Sequence, residues 1–222
     1  MAFELAQSTA AQQPAYIAAS TTFNGEKSMD FQNDWLYSKN GDHCSALDNG
    51  APWTIYVVCQ SDYAMESTDN GRYPYLCEFQ SEGASTNNLI RLRIYHTTLG
   101  TNGYYRFDPG VRTSSGGFAT FFSTAREYPN TERKHVVCFR CDSTALYLDF
   151  YTHGDATQYS ASDSTALQGV EPSSYTDMRL GCSRFSNSYE WRGEIPFYGQ
   201  STKFHSDAEV AATLKVLKGR YF

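Results

Sequence analysis

The chain reads as an all-β protein, a two-sheet antiparallel β-sandwich closed by one short C-terminal α-helix. Three observations predict this. Aromatic residues make up 15% of the chain, with 17 Tyr and 14 Phe, and such side chains suit the pleated, half-buried surface of strands. Asn-Gly pairs recur at 24–25, 40–41, 49–50, 70–71 and 102–103, turn signals at the spacing of an all-β chain. Near the end, one stretch carries helical apolar spacing between clear start and stop signals.

The elements follow in order. Strand-like runs occupy Ser28–Gln32, Trp53–Gln60, Tyr75–Gln80, Asn88–His96, Tyr104–Phe107, Phe118–Ser123, Lys134–Cys141 and Ala145–Thr152. Met178–Cys182 and Tyr189–Tyr198 add two more before a polar break. The helix spans Ser206–Lys218. Ser206 is its N-cap and Glu209 stands at the capping-box position. Asp207 and Glu209 put negative charge at the positive end of the helix dipole. Val210, Leu214 and Leu217 form one apolar stripe at i, i+4, i+7. Lys215 and Lys218 fall in the last turn, and Gly219 is placed to take the left-handed position after it. No Pro/Ser-rich linker, charge run or repeat divides the chain. The expectation is therefore a single domain over residues 1–222, a length routine for one β core.

Composition removes several function classes. The formal net charge is −6 with no basic run longer than Arg133–Lys134, whereas phosphate-backbone binding needs a basic surface. Nucleic acid is thus not expected as a partner. Nor is membrane insertion, since no apolar stretch approaches the ~20 residues of a membrane span. The first fifteen residues lack a basic n-region and a long apolar h-region, so no secretory signal is expected. No N-x-S/T sequon occurs. Six cysteines stand at 44, 59, 77, 138, 141 and 182. Four of them, Cys59, Cys77, Cys138 and Cys182, sit in apolar strand-like runs, where a free thiol behaves as a small hydrophobe. Mostly reduced thiols are expected.

Several stretches resemble a known superfamily. Met178 to Phe222, MRLGCSRFSNSYEWRGEIPFYGQSTKFHSDAEVAATLKVLKGRYF, is similar to the end of the laminin-G-like, concanavalin A-like jelly-roll domains. There a G-E-I strand precedes an sDAEv helix and a closing R-Y. Lys134–Tyr151, KHVVCFRCDSTALYLDFY, resembles that superfamily's central hairpin through His135, Val136, Val137, Arg140, Asp142, Leu146 and Leu148. AQSTAAQQPAYIAAS and Met29–Ser38, MDFQNDWLYS, resemble its opening. The likeness covers roughly half the chain, and residues 60–130 share only strand rhythm. Related domains carry an Asp/Gly/Asn-rich turn before the Q-P segment, and the stretch from Met1 leaves no room for it. The expectation is a pared-down edge or one completed by another chain.

Strand alternation supplies the candidate binding residues. In LIRLRIY, Ile90, Leu92 and Ile94 share one face and Arg91, Arg93 and Tyr95 the other. In LYLDFY, Leu146, Leu148 and Phe150 face the core, while Tyr147, Asp149 and Tyr151 face away. Arg, Tyr and Asp on an open sheet face suit a polar ligand. Tyr stacks on sugar rings, and Arg and Asp offer hydrogen bonds. These six are the first ligand candidates, and the loop tips near Asn70, Asn102 and Asp155 come second. The competing reading is a solvated sheet exterior or a surface for a neighbouring subunit.

Other motifs carry less. Cys138 and Cys141 lie three apart on a strand, so their thiols leave opposite faces and cannot share a metal or a bond. The five histidines, at 43, 96, 135, 153 and 205, are dispersed. His135 matches the strand-start His of the family and reads as structural. His153-Gly154-Asp155 reads as a hairpin turn. The resemblance brings in Ca²⁺ held by loop carboxylates. Asp30, Asp34, Asp62, Asp69, Asp142, Asp155, Asp163 and Asp177 stand in or near loops, but no fixed motif selects among them and Asp also builds turns.

Hydrolases of this class need a close carboxylate pair, usually on an E-x-D-x-x-E strand. That motif is absent, as is a G-x-S-x-G nucleophile elbow. Glu190 and Glu194 flank Trp191, and Glu194 coincides with the structural G-E-I. The resemblance thus implies a non-catalytic recognition or adhesion module that binds glycans or protein surfaces. Glycoside hydrolysis or polysaccharide lysis is the weaker reading. Such modules occur in bacteriophage and other viral structural proteins, so a virion or cell-surface location is expected. Other virion proteins and further copies of the chain are the expected partners. The alternative is a purely structural virion subunit making only protein–protein contacts.

Overall fold

The computed structural model describes residues 13–32, 34–39, 52–62, 74–80, 89–99, 102–112, 118–120, 128–129, 134–142, 144–163, 177–182 and 190–222. Its organising strands are β4 (Trp53–Gln60, WTIYVVCQ) and β10 (Lys134–Cys141, KHVVCFRC). Every residue of β4 except Gln60 is buried, and every residue of β10 except Lys134. A strand without polar alternation needs cover on both faces. The two pair antiparallel with Val137 opposite Val57. They sit inside a five-stranded sheet in the order β12-β11-β10-β4-β15. Its remaining members are β11 (Leu146–Thr152), β12 (Tyr159–Asp163) and β15 (Phe197–Ser201).

One face of this sheet meets a second, seven-stranded antiparallel sheet. That sheet contains β3 (Leu36–Lys39), β5 (Tyr75–Gln80), β6 (Leu89–Leu99), β7 (Asn102–Arg112), β8 (Phe118–Thr120), β9 (Tyr128–Pro129) and β13 (Asp177–Leu180). The order is β3-β13-β5-β6-β7-β8, with β9 also on β7. Ile55, Val57, Val137, Phe139, Leu148 and Phe150 interdigitate with Phe79, Ile90, Leu92, Ile94, Phe107 and Met178 in one core. Trp53 meets Phe139 edge-on at 5.0 Å. His135 is part of this interior, fully buried, with its Nδ1 3.0 Å from Thr152 Oγ1 and its ring edge-on to Phe107. A three-stranded sheet, β1 (Ala15–Ile17), β2 (Ser28–Gln32) and β14 (Arg192–Ile195), adds Phe31 and Ile195 to the same core.

The other face of β4 and β10 presents Tyr56, Val58, Val136 and Cys138, and α1 (Asp207–Tyr221) covers it. Val210, Leu214 and Leu217 are the buried stripe, as the periodicity predicts. The capping box forms in both directions between Ser206 and Glu209. Cys138 belongs to this outer cluster and Cys141 to the inner core, so the two thiols do leave opposite faces. Cys59, Cys77, Cys138, Cys141 and Cys182 are buried free thiols, and Cys44 lies outside the described residues. Burial pushes the Cys77 and Cys182 thiols up to about 12.

Three expectations change. The run Tyr189–Tyr198 is two strands, because Pro196 lacks an N–H and ends the first. Then β14 pairs with β2 and β15 with β4, in different sheets. Gly193 is required there: its φ is +120°, and a Cβ would stand 2.1 Å from the carbonyl oxygen of Gln60. Asn102–Gly103 do not form a turn but open β7, opposite Leu99 and Thr98. Gly219 does not stop the helix, which runs on to Tyr221. The reason is tertiary. Tyr221 is buried against Phe23 and Phe197, and that packing outweighs the glycine's cost of ~0.5–1 kcal/mol.

Two opposite stability changes follow. Leu214→Ala should cost on the order of 2–5 kcal/mol, since the side chain is fully buried under the helix. Gly219→Ala should raise stability by about 0.5–1 kcal/mol, because the position is helical and a Cβ meets nothing within 4 Å. Urea unfolding of both variants measures the pair. A Leu214→Ala variant as stable as the parent would contradict the packing.

Candidate functional site

The helix α1 packs against β10 and β11 and leaves the hairpin β11–β12 beside it. Two pockets, together called the furrow, therefore lie along this flank of α1, over the outward side chains of β11. Those are Tyr147, Asp149 and Tyr151, two residues apart on one face, all lining the furrow. Leu146, Leu148 and Phe150 face the core as alternation predicts.

At the N-terminal end of α1 the furrow is a polar pocket of about 320 Å³. Arg140 organises it. Its Nε donates to Asp149 Oδ2 at 3.1 Å, one terminal nitrogen donates to the His205 carbonyl at 2.6 Å, and the other to Asp207. The guanidinium lies 4.9 Å from the Tyr147 ring centroid and 4.8 Å from that of Phe204. Asp149, 3% exposed, also accepts from Ser160 Oγ at 2.6 Å and Gln158 Nε2 at 3.1 Å. Tyr147 donates its hydroxyl to Asp142 Oδ2 at 2.7 Å, and that bond to a carboxylate pushes the phenol's pKa up. Partial burial alone would raise Asp142. Hydrogen bonds from Thr144, Tyr147 and the Thr144 and Ala145 backbone overcome it and hold the carboxyl at about 2.

At the C-terminal end of α1 the furrow widens to about 860 Å³. Tyr151, Phe222 and His153 line it with Lys215, Lys218 and Asp155. Lys218 donates to the Asp155 carbonyl at 2.9 Å and sits 4.7 Å over the Tyr151 ring. Both tyrosines therefore carry a cation on one face and are not bare stacking platforms.

The six predicted residues do not form one site. Arg91 and Arg93 belong to β6, and their neighbours Ile90, Leu92 and Ile94 face the core. The two arginines thus leave the far side of the seven-stranded sheet, across the whole sandwich from Tyr147, Asp149 and Tyr151. Nor are they on an open exterior. Arg91 is 5% exposed and Asp108 0%. Arg91 lies 3.6 Å from Asp108, and Arg93 donates to the same carboxylate directly across the strand pair. Both guanidiniums also reach the Tyr75 hydroxyl at 3.4 Å. Charges buried this deeply find partners because desolvation is otherwise too costly. The side chain of Tyr95 lies outside the described residues, as does Asn70. Asp155 lies in the β11–β12 turn and does border the furrow.

Among the calcium candidates, Asp142 is committed to its turn, its Oδ1 accepting from Thr144 N, Thr144 Oγ1 and Ala145 N. Asp30 and Asp62 both accept from Gln32 Nε2. Asp69 lies outside the described residues. Among the described residues, no three His, Cys, Asp or Glu side chains gather as a metal set.

The sequence reading missed Arg140, Gln158, Ser160 and the two lysines as furrow groups. One signal existed: Arg140 pairs with Tyr147 and Cys138 with Asp149, so Arg140 and Asp149 are diagonal neighbours.

No family model matches the chain, and no characterised protein matches it in sequence. Solved structures match it in fold. Tailspike protein 2 of an Escherichia coli O157:H7 bacteriophage is similar with TM-score 0.60 and 10% identity, over 90% of this chain and 26% of the tailspike. The botulinum neurotoxin serotype G binding domain gives TM-score 0.54 and 10% identity over 94% of this chain and 47% of that one. The alginate lyase of Klebsiella pneumoniae gives TM-score 0.52 and 10% identity over 88% and 85%. The fold is a β-sandwich jelly roll. This chain spans about a quarter of the tailspike's length, and at such identities the likeness is one of fold alone.

The seam at Arg140 carries two predictions. Asp149→Ala should destabilise by ~3–5 kcal/mol, since it strands a buried guanidinium, while Asp207→Ala should cost less than ~1 kcal/mol, because Asp207 is 92% exposed. Equal losses in denaturant titration would contradict the assignment. Asp142 sets an acid limit. Its folded pKa of about 2 lies below the ordinary 3.8, so its contribution is fully present above 3.8 and is lost as pH falls through about 2. Asp142→Asn should therefore lessen the fall in stability over that window, measured by urea unfolding at stepped pH.

Proposed function

We propose that this chain is a non-catalytic recognition module of the concanavalin A-like, laminin-G-like kind, carried on a virion surface, and that it binds glycans in the furrow beside α1. One observation carries the reading. Hydroxyl, amide and carboxylate groups of Ser160, Gln158 and Asp149 converge in a pocket of about 320 Å³, where Arg140 holds Asp149 and Asp149 accepts from the other two. Preorganised polar groups in a concave site are what a hydroxyl-rich ligand needs. Recognition here is by hydrogen bonds more than by stacking, because cations occupy a face of Tyr147 and of Tyr151. Binding per site is weak and gains effect through many copies. The likeness to a bacteriophage tailspike supports the virion setting.

A second reading, a structural subunit with protein contacts only, is favoured by one fact. Tyr147 and Asp149 already have partners within the chain, Tyr147 donating to Asp142 and Asp149 accepting from Arg140. An enzyme reading keeps one candidate group. Partial burial and the nearby charge of Asp34 raise the pKa of Glu190, and a raised carboxyl beside a second one suits acid–base work.

Purified protein assayed against a broad polysaccharide panel separates the three, scoring retention and turnover together. The expected outcome is retention without turnover. It should fall about tenfold in Ser160→Ala and Gln158→Ala, each of which removes one hydrogen-bonding group. No retention on any glycan would reject the recognition reading. Turnover abolished by Glu190→Gln would reject the non-catalytic one.

A further inference from the structure

We infer that the wide end of the furrow, beside the last turn of α1, is a subsite for an anionic group carried by a sugar, so that the ligand is an acidic oligosaccharide. This rests on the furrow being the glycan site and adds the chemical class of its ligand.

The first observation is how the cations are partnered. Arg179 reaches the Cys182 thiol, while four described guanidiniums end on carboxylates, Arg91 and Arg93 on Asp108, Arg140 on Asp149 and Asp207, and Arg220 on Glu26. The lysines around the wide end do not. Lys218 donates to the backbone carbonyl of Asp155 and rests on the Tyr151 ring. Lys134 donates to the Thr22 carbonyl and lies 5.4 Å from the Phe222 ring centroid. Lys215 is exposed on the furrow wall. Among the described residues, neither Lys215 nor Lys218 forms an ion pair. Carbonyl and ring contacts orient an ammonium without cancelling its charge, and each ammonium has three donors.

The second observation is the local balance of charge. Asp155 borders the same space, and a helix C-terminus contributes roughly half a negative charge. Against these stand Lys215 and Lys218 in the wall. Among the side chains that line the space, lysines outnumber carboxylates two to one. This local excess runs against a chain whose net charge is −6. A cavity of about 860 Å³ with two aromatic walls and mobile ammonium donors suits a carboxylate or sulfate on a ring.

The third is length. Tyr147 and Tyr151 are four residues apart on β11, about 13 Å at the strand rise. Ser160 and Lys215 line the two separate pockets, so a ligand that meets both is an extended oligosaccharide. It lies along the furrow with its anionic group at the C-terminal end of α1.

The test uses the full chain with four probes in affinity electrophoresis at fixed ionic strength: dextran, dextran sulfate, alginate and poly-glutamate. Alginate or dextran sulfate should be retained more strongly than dextran, and the preference should shrink as salt is added. The stronger of the two identifies carboxylate or sulfate as the anionic group. Lys215→Glu, a surface change that leaves the core intact, should reduce retention of the acidic glycan about tenfold or more, the loss expected for a charge-assisted contact. Lys218→Met should act in the same direction, with thermal unfolding as its check on folding. Glycan retention that is indifferent to charge and to Lys215→Glu would overturn the anionic subsite and leave the glycan reading standing. Poly-glutamate retained as strongly as alginate would overturn the sugar and point to an acidic peptide. Retention of no saccharide would remove the glycan reading and the subsite with it.

Discussion

Two strands without a polar face, β4 and β10, dictate most of what surrounds them. Apolar side chains leave both sides of the sheet they centre, so each side must be withdrawn from water. The inner side is met by the seven-stranded sheet. On the outer side, α1 provides the cover with Val210, Leu214, Leu217 and Tyr221. A single helix is narrower than five strands. It packs on β10, β4 and the near side of β11 and leaves β12 at its flank. The furrow is the uncovered remainder of a sheet that needed covering only at its centre.

Where the covered and uncovered regions meet, the chemistry changes from apolar to charged. Arg140 stands at that seam. It is the outward residue of β10 next beyond Cys138, and Asp149 of β11 is its diagonal neighbour. The guanidinium binds the sheet through Asp149 and the helix entry through the His205 carbonyl and Asp207. Thr54 adds a second tie, donating to the Lys203 carbonyl and accepting from the His205 N–H. Apolar packing is non-directional and would allow the helix to slide along its stripe. These directional bonds fix where α1 starts, and so fix the width of the furrow at that end. A buried ion pair in this position contributes little net stability. Its role here is registration.

Much of this was legible in the sequence, and the failures have physical causes. The bounds of β2, β4, β5 and β10 follow from local alternation or continuous apolarity, which are properties of the strands themselves. The helix start follows from Ser206 and Glu209 for the same reason. Its end does not, because Tyr221 is anchored by Phe23, almost two hundred residues away in the chain. The short strands β1, β3 and β12 carry no periodicity long enough to read. They exist because longer neighbours offer them an edge. For the site, alternation placed Tyr147, Asp149 and Tyr151 on an outward face correctly. It also placed Arg91 and Arg93 outward, but alternation has no knowledge of which sheet a strand joins. Two outward faces were merged into one candidate, although the whole sandwich lies between them.

That separation makes the two faces physically different. On the seven-stranded sheet, Arg91 and Arg93 share the buried Asp108 carboxylate. On the five-stranded sheet, the charged groups sit beside open space. There a further distinction arises between residues that hold the structure and residues that only border it. Arg140, Asp149 and Tyr147 do both: they floor the furrow and tie the helix, hairpin and turn together. Ser160, Ser162 and Lys215 border it and are exposed. A change of ligand can therefore proceed through the second group at little cost in stability, since surface substitutions rarely exceed ~0.5 kcal/mol. A change in the first group is opposed by the need to keep α1 over β4 and β10. The furrow's position is thus bound to the fold, while its chemistry along β12 and the exposed edge of α1 is free to follow whatever the module must recognise.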